Sequence, residues 1–185
     1  MTLEEQAHRI GHHIWLETRL FEVLGGWITV VSEPEAKVCL ASHSRHHAWH
    51  AELWHKQLPA VPHLPADQLV APAHAQLAAA LGVLAGAETD GGGAEPDSGD
   101  GTLTRLVGMY RVVVPRVITA YRRDLESASP ISDAPMLHTL RHLLSDEIED
   151  WREGEQLIQS LARTSEAVDR AGAHQARIEK LIAGG

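Results

Sequence analysis

Six side chains in this sequence have the types and the spacing to hold a metal ion: Glu17, His43, His47, His50, Glu147 and Asp150. Glu17 interrupts an apolar stripe of Ile10, Ile14, Phe21, Leu24, Ile28 and Val31 that recurs at helical spacing. At about 100° per residue, its carboxylate points into whatever core that stripe builds. An ionised carboxylate there needs a partner, which is either an internal salt bridge, a proton or a metal ion. On a second helix His43, His47 and His50 share one face, opposite Arg45, Glu52 and Lys56. Three inward imidazoles on successive turns are hard to satisfy with backbone groups, because helical carbonyls are already used. A later helix repeats the pattern: Leu140, Leu144, Trp151, Gly154 and Ile158 form a seam with Glu147 at its centre and Asp150 about 60° to one side.

Other candidates are weaker. Tyr110 is the inward polar residue of a helix that buries Leu103, Val107, Val114, Val117 and Tyr121. It is either a core tyrosine with a bonded hydroxyl or a catalytic partner of Glu147. His46 and His55 fall on the flanks of the second helix, and His138 and His142 fall on the solvent side of theirs, with Glu149 and Arg152. His8 and His12 face outward and are expected to be solvated. Cys39 is the one cysteine, so it reads as a small core residue in a reducing compartment.

Helices must position these groups. The periodicity predicts them over about 3–31, 34–57, 73–85, 102–126, 134–162 and 165–183, in a single domain spanning 1–185. Ser32, Pro34 and Glu35 read as the start of the second. Pro115 should kink the fourth or break its ladder towards Arg111. Residues 87–101, with Gly91, Gly92, Gly93, Pro96 and Gly99, read as a flexible linker, since they hold little apolar surface to offset their ordering entropy. A phosphate-binding loop is the rival reading there, but no Lys-Ser/Thr pair follows the glycines.

The four long helices in this order resemble the ferritin-like superfamily, which contains the rubrerythrins and the carboxylate-bridged di-iron enzymes. That pattern places a Glu on the first helix, Glu-x-x-His on the second, Glu on the third and Glu-x-x-His on the fourth. Here Glu17 fills the first position and His47-Ala-Trp-His50 the second; Tyr110 stands where the third Glu is expected, and Glu147-Ile-Glu-Asp150 fills the fourth. The resemblance implies an all-α four-helix bundle with a long crossover between its second and third long helices, here carrying an additional C-terminal helix. It also implies a site inside the bundle. Exchanging two bridging carboxylates for His and Tyr removes much of the capacity to bridge two ions, so one iron or manganese ion, or else zinc or copper, or a rearranged pair, suits the set better. The expected function is a metal-dependent oxidoreductase or oxygenase acting on a small organic substrate. The alternative is a metal-free bundle whose inward charges are a structural network and which acts by oligomerisation or partner binding. A hemerythrin-like reading rests on His13-x-x-x-Glu17 and His43-x-x-x-His47, but that family's ligands come in a different order.

Composition narrows the classes. A net charge of −9 with scattered arginines leaves no basic strip for nucleic acid. No spanning segment or signal peptide is read from the sequence, so a cytoplasmic protein is expected. The last helix has a modest apolar face that either caps the bundle or pairs with a second copy in a homodimer.

Overall fold

A computed structural model describes residues 2–86, 100–131 and 133–184. Among these residues every regular element is helical, apart from an isolated bridge between Val61 and Leu64. Helix α1 is Leu3–Trp27, opened by a capping box in which Thr2 and Glu5 satisfy each other's backbone N–H groups. It stops four residues before the predicted end, after Gly25 and Gly26, where a run of β-branched residues leads towards Pro34. Helix α2 is Pro34–Gln57 as predicted, but its cap is Glu33 and not Ser32. The one-turn α3 (Ala66–Leu69) and α4 (Ala75–Leu84) follow, α4 being capped by the His74 ring, which accepts the Leu77 N–H.

The fourth predicted helix is composite. It consists of α5 (Asp100–Val107), a π-helical turn over Gly108–Val113, and α6 (Val114–Ser127). Pro115 lacks the N–H that would close a regular ladder, and its ring would crowd the carbonyl of Arg111; the wide turn accommodates both effects without a break. Helices α7 (Ala134–Leu161) and α8 (Ser165–Ala183) complete the chain. Of the predicted linker, residues 87–99 lie outside the described residues, whereas Asp100 and Gly101 already belong to α5.

Side-chain pairs give the directions of packing. Glu17 meets His47, and the Ser44 hydroxyl donates to the Phe21 carbonyl, so α1 and α2 run antiparallel. His46 faces Asp150 while His50 faces Asp146, which makes α7 antiparallel to α2. His43 with Tyr110 and Trp54 with Tyr121 make α2 parallel to the α5–α6 segment. Helix α8 lays Ala167, Ala171 and Ile178 against α4 and α5.

Two of the predicted apolar seams are rotated. Phe21 is 43% exposed and Trp151 is 36% exposed, while Leu20 and Leu143 are buried in their place. On α7 the cause is electrostatic as well as apolar. The imidazoles of α2 pair with Asp146, Asp150 and Glu153, and this rolls Trp151, on the other flank of Glu147, out to the rim. The stripe of Leu103, Val107, Tyr110, Val114, Val117 and Tyr121 is buried throughout.

Candidate metal centre

Glu17, His47, His50 and Glu147 converge from α1, α2 and α7, all of them buried, and one donor atom of each lies within 4.8 Å of the other three. Positions 47 and 50 are three apart on one helix, which puts the two rings on the same face, edge to face at 5.9 Å. His47 Nδ1 lies 2.6 Å from Glu17 Oε2 and 3.3 Å from Glu147 Oε1. His50 Nδ1 lies 3.5 Å from Glu17 Oε2 and 3.3 Å from Glu147 Oε1. The outer atoms are anchored. Tyr121 donates its hydroxyl to Glu17 Oε1 and accepts the Trp54 indole N–H at 3.0 Å, while His50 Nε2 faces Asp146 Oδ2 at 3.3 Å. By contrast His50 Nδ1 and both Glu147 oxygens are buried without a hydrogen-bond partner.

These distances suit one ion. Bonds of about 2.0–2.2 Å in a tetrahedral set hold nitrogen and oxygen donors about 3.3–3.6 Å apart. The separations at 3.3, 3.3 and 3.5 Å already meet that requirement. The His47–Glu17 contact at 2.6 Å is a hydrogen bond that has to lengthen as its proton leaves. The unpartnered atoms are the ones an ion would satisfy, and Asp146 behind His50 is the carboxylate support that metal-bound imidazoles usually have. The four residues could therefore hold a metal ion.

Without an ion, protons fill the same role. Burial alone would raise the Glu17 carboxyl, but the His47 and His50 imidazoliums beside it hold it below the usual carboxylate range. Burial opposes charge on both imidazoles as well. Glu147 and Glu17 nonetheless raise His47, and Glu17 with Asp146 and Glu147 pushes His50 up to about 12. Burial, reinforced by the charge on Glu17, leaves Glu147 raised and therefore closer to neutral.

The remaining predicted ligands lie along the same α2–α7 seam, outside this set. His43 is buried with its Nδ1 2.6 Å from the Tyr110 hydroxyl and its Nε2 3.1 Å from Glu153 Oε2 and 3.4 Å from Asp150 Oδ1. Asp150 is bonded instead to His46 Nδ1 at 2.9 Å, so the flank position assigned to His46 is half-buried and paired. Tyr110 does not stand beside Glu17 and Glu147 as the third-helix ligand. It lies in the π turn, one layer along, and the tyrosine on Glu17 is Tyr121, which the sequence reading treated as core filling. Tyr121 follows Tyr110 by about three turns on the same buried face, so the signal was present in the spacing. Cys39 is half-buried with its sulfur 3.7 Å from the His43 ring nitrogens, a contact that its reading as core packing missed. His138 and His142 are exposed.

The chain matches no family model, no curated protein and no solved structure. Its chemistry is therefore read from its own side chains, which include a further buried set around His13, whose spacing from Glu17 the sequence shows but whose partner Asp124 it does not. His13 Nε2 lies 2.6 Å from Asp124, which also pairs with Arg9 at 3.1 Å, and the His13 ring stacks on Trp54 at 4.6 Å. His12 is not simply solvated. It is half-buried, its Nδ1 accepts the Ala73 N–H at 2.9 Å, and burial holds it down to about 4. His13 stands four residues before Glu17, one helical turn along the same face, which is the spacing that underlay the hemerythrin-like reading. His13, Asp124, Arg116 and Arg123 line a cavity of about 350 Å³ together with Leu16, Val113 and Val117.

Proposed function

We propose that the protein is a ferritin-like bundle that holds one transition-metal ion on Glu17, His47, His50 and Glu147 and acts as a metal-dependent oxidoreductase or oxygenase on a small organic substrate. The observation that carries this reading is the group of buried atoms without a hydrogen bond, His50 Nδ1 and both Glu147 oxygens, facing Glu17 and His47 at ligand spacing. The helix directions support the family. Two antiparallel pairs, α1 with α2 and α5–α6 with α7, are related so that α2 and α6 run parallel, the relation that a long crossover between them would produce.

Two imidazoles and two carboxylates form a mixed nitrogen and oxygen set suited to iron or manganese, with zinc or copper as competitors. Either of the first two would supply redox chemistry and activation of dioxygen or peroxide. The chain's own groups do the rest. Tyr121, held by Trp54, fixes the orientation of Glu17, and Asp146 fixes the tautomer of His50. Burial of all four ligands keeps bulk water away and strengthens every interaction among them. The cavity beside His13 supports a small substrate. It has apolar walls, arginine side chains and a ring, that of His13, centred 5.0 Å from the Tyr121 ring, whose hydroxyl reaches Glu17.

The 2.6 Å contact between His47 and Glu17 favours a second reading, a metal-free imidazolium–carboxylate network with a structural role. Manganese separates the two. Protein loaded anaerobically with Mn²⁺ and desalted is expected to retain about one equivalent, and the His47→Ala/His50→Ala double variant less than about a tenth, with helix content unchanged by circular dichroism. Wild-type retention below about a tenth would overturn the metalloprotein reading and leave the network.

A further inference from the structure

Cys39, His43 and Glu153 form a second convergence of ligand atoms, with Cys39 Sγ, a His43 ring nitrogen and a Glu153 carboxylate oxygen all within 4.8 Å of one another. From this geometry we propose that they constitute a separate site for a thiophilic divalent ion of the zinc class. The inference does not rest on the inner site. Its donors are different atoms, on positions 39 and 43 of α2, one turn apart, and on 153 of α7, where the same antiparallel pairing brings them together.

The spacing is near to what an ion needs. Sγ is 3.7 Å from both His43 ring nitrogens and has to swing towards Nε2 to share an ion with it, and Nε2 is 3.1 Å from Glu153 Oε2. Tetrahedral bonds of about 2.3 Å to sulfur and about 2.0 Å to nitrogen and oxygen place such donors about 3.3–3.5 Å apart. The imidazole is already oriented for the task. Its Nδ1 faces the Tyr110 hydroxyl at 2.6 Å, so Nε2 is the nitrogen directed at Glu153. Tyr110 cannot swing away on the α7 side, because that helix approaches through Gly154, where even a Cβ would lie 2.3 Å from the ring. Asp150 Oδ1, 3.4 Å from the same Nε2, adds negative charge and is itself tethered by His46.

Access and ligand softness set this site apart. The Glu153 side chain is 54% exposed and Cys39 is half-buried, so solvent reaches the cluster and can complete the coordination with water. Thiolate selects zinc-class ions over the hard ions that suit the inner carboxylates. On uptake the Cys39 S–H bond breaks, its proton passes to solvent, and the sulfur electron pair is donated to the ion.

Cobalt(II) tests the proposal, because Cys39 is the one cysteine in the chain and any thiolate-to-cobalt charge-transfer band must come from it. Reduced wild-type protein titrated with Co²⁺ under argon is expected to develop that near-ultraviolet band, saturating at about one equivalent beyond the cobalt that the inner site takes up and disappearing when Zn²⁺ is added. Cys39→Ser should abolish the band. Glu153→Gln, on an exposed side chain that leaves the fold intact, should weaken cobalt affinity on the order of tenfold, and His43→Gln at least as much. Glu147→Gln should leave the band in place, which keeps failure of the inner site distinguishable from failure of this one. The proposal is overturned if wild-type protein shows no band in tenfold cobalt excess, or if the band keeps its affinity in both His43→Gln and Glu153→Gln.

Discussion

Two histidine clusters sit along one helix pair, yet their imidazoles are shifted in opposite directions. Around His47 and His50, two fully buried carboxylates approach from α1 and α7, and both imidazoles are raised, His50 to about 12. Around His43 burial prevails. Its imidazole is held below the ordinary range although Asp150 and Glu153 pull it upward, and the Cys39 thiol is pushed up to about 12 by burial and then by Glu153. The residue type and the helix are shared, so the difference comes from the anions. Glu17 touches His47 at 2.6 Å in a sealed core, whereas Glu153 is half in water and Asp150 is bonded to His46. Burial disfavours an imidazolium unless a desolvated carboxylate stands in contact with it.

The widest separation between the clusters should come from pH. An ion can enter the inner site only as His47 and His50 shed protons, so Mn²⁺ affinity should rise between about tenfold and a hundredfold per pH unit from pH 6 to 8. Calorimetry in two buffers of different ionisation enthalpy would count the released protons. Ion-free protein should behave in the opposite way. His50 is raised from 6.5 to about 12 in the fold, so its contribution to stability is fully present below pH 6.5 and is lost as pH climbs towards about 12. Urea titrations of ion-free protein at pH 7 and 9 should show this decline. A rise in stability over that interval would refute the imidazolium assignment.

Gly154→Ala should strike the outer cluster. The new methyl group would meet the Tyr110 ring at 2.3 Å, pushing away the hydroxyl that orients His43, at an expected cost of about 2–4 kcal/mol. Chemical denaturation would measure the loss, and Mn²⁺ uptake at the inner site should survive in the folded fraction. If stability is unchanged, the close approach of α7 to Tyr110 is not what holds that ring.

Tyr121→Phe is the smaller and complementary change. It leaves the Trp54 N–H and Glu17 Oε1 buried without their shared partner, for about 1–3 kcal/mol, while sparing His43. Thermal melts with and without Mn²⁺ would read it. The same substitution should reduce Mn²⁺ affinity about tenfold, because Glu17 loses the group that aims it. Unaltered affinity would show that Trp54 and Tyr121 only fill space.

Much of the arrangement was legible in the chain. Helical periodicity located the long helices to within a few residues, and it indicated that Glu17, His43, His47, His50, Glu147 and Asp150 all turn inward, as their burial shows. It failed where a helix has two neighbours of unequal pull. Phe21 and Trp151 lie within about 40° of their seam centres, and only the positions of the adjacent helices decide which flank faces water. The π turn was similarly out of reach. Pro115 announced a disturbance near Arg111, but whether a helix kinks, breaks or widens depends on what packs against it.

The sequence by itself determined the helical class, the inward faces and the stock of donor groups, because each of these follows from local periodicity and side-chain chemistry. Tertiary structure alone decided the grouping. Axial register between α2 and α7 split one apparent line of ligands into a sealed set around Glu147 and an open set around Glu153, and the placement of α6 beside α1 brought Tyr121 to Glu17 from 104 residues away. A shift of one turn, about 5.4 Å along either helix, would exchange these partners without altering a single residue's face. Register of that kind is set by the packing of the whole core, which local spacing does not record.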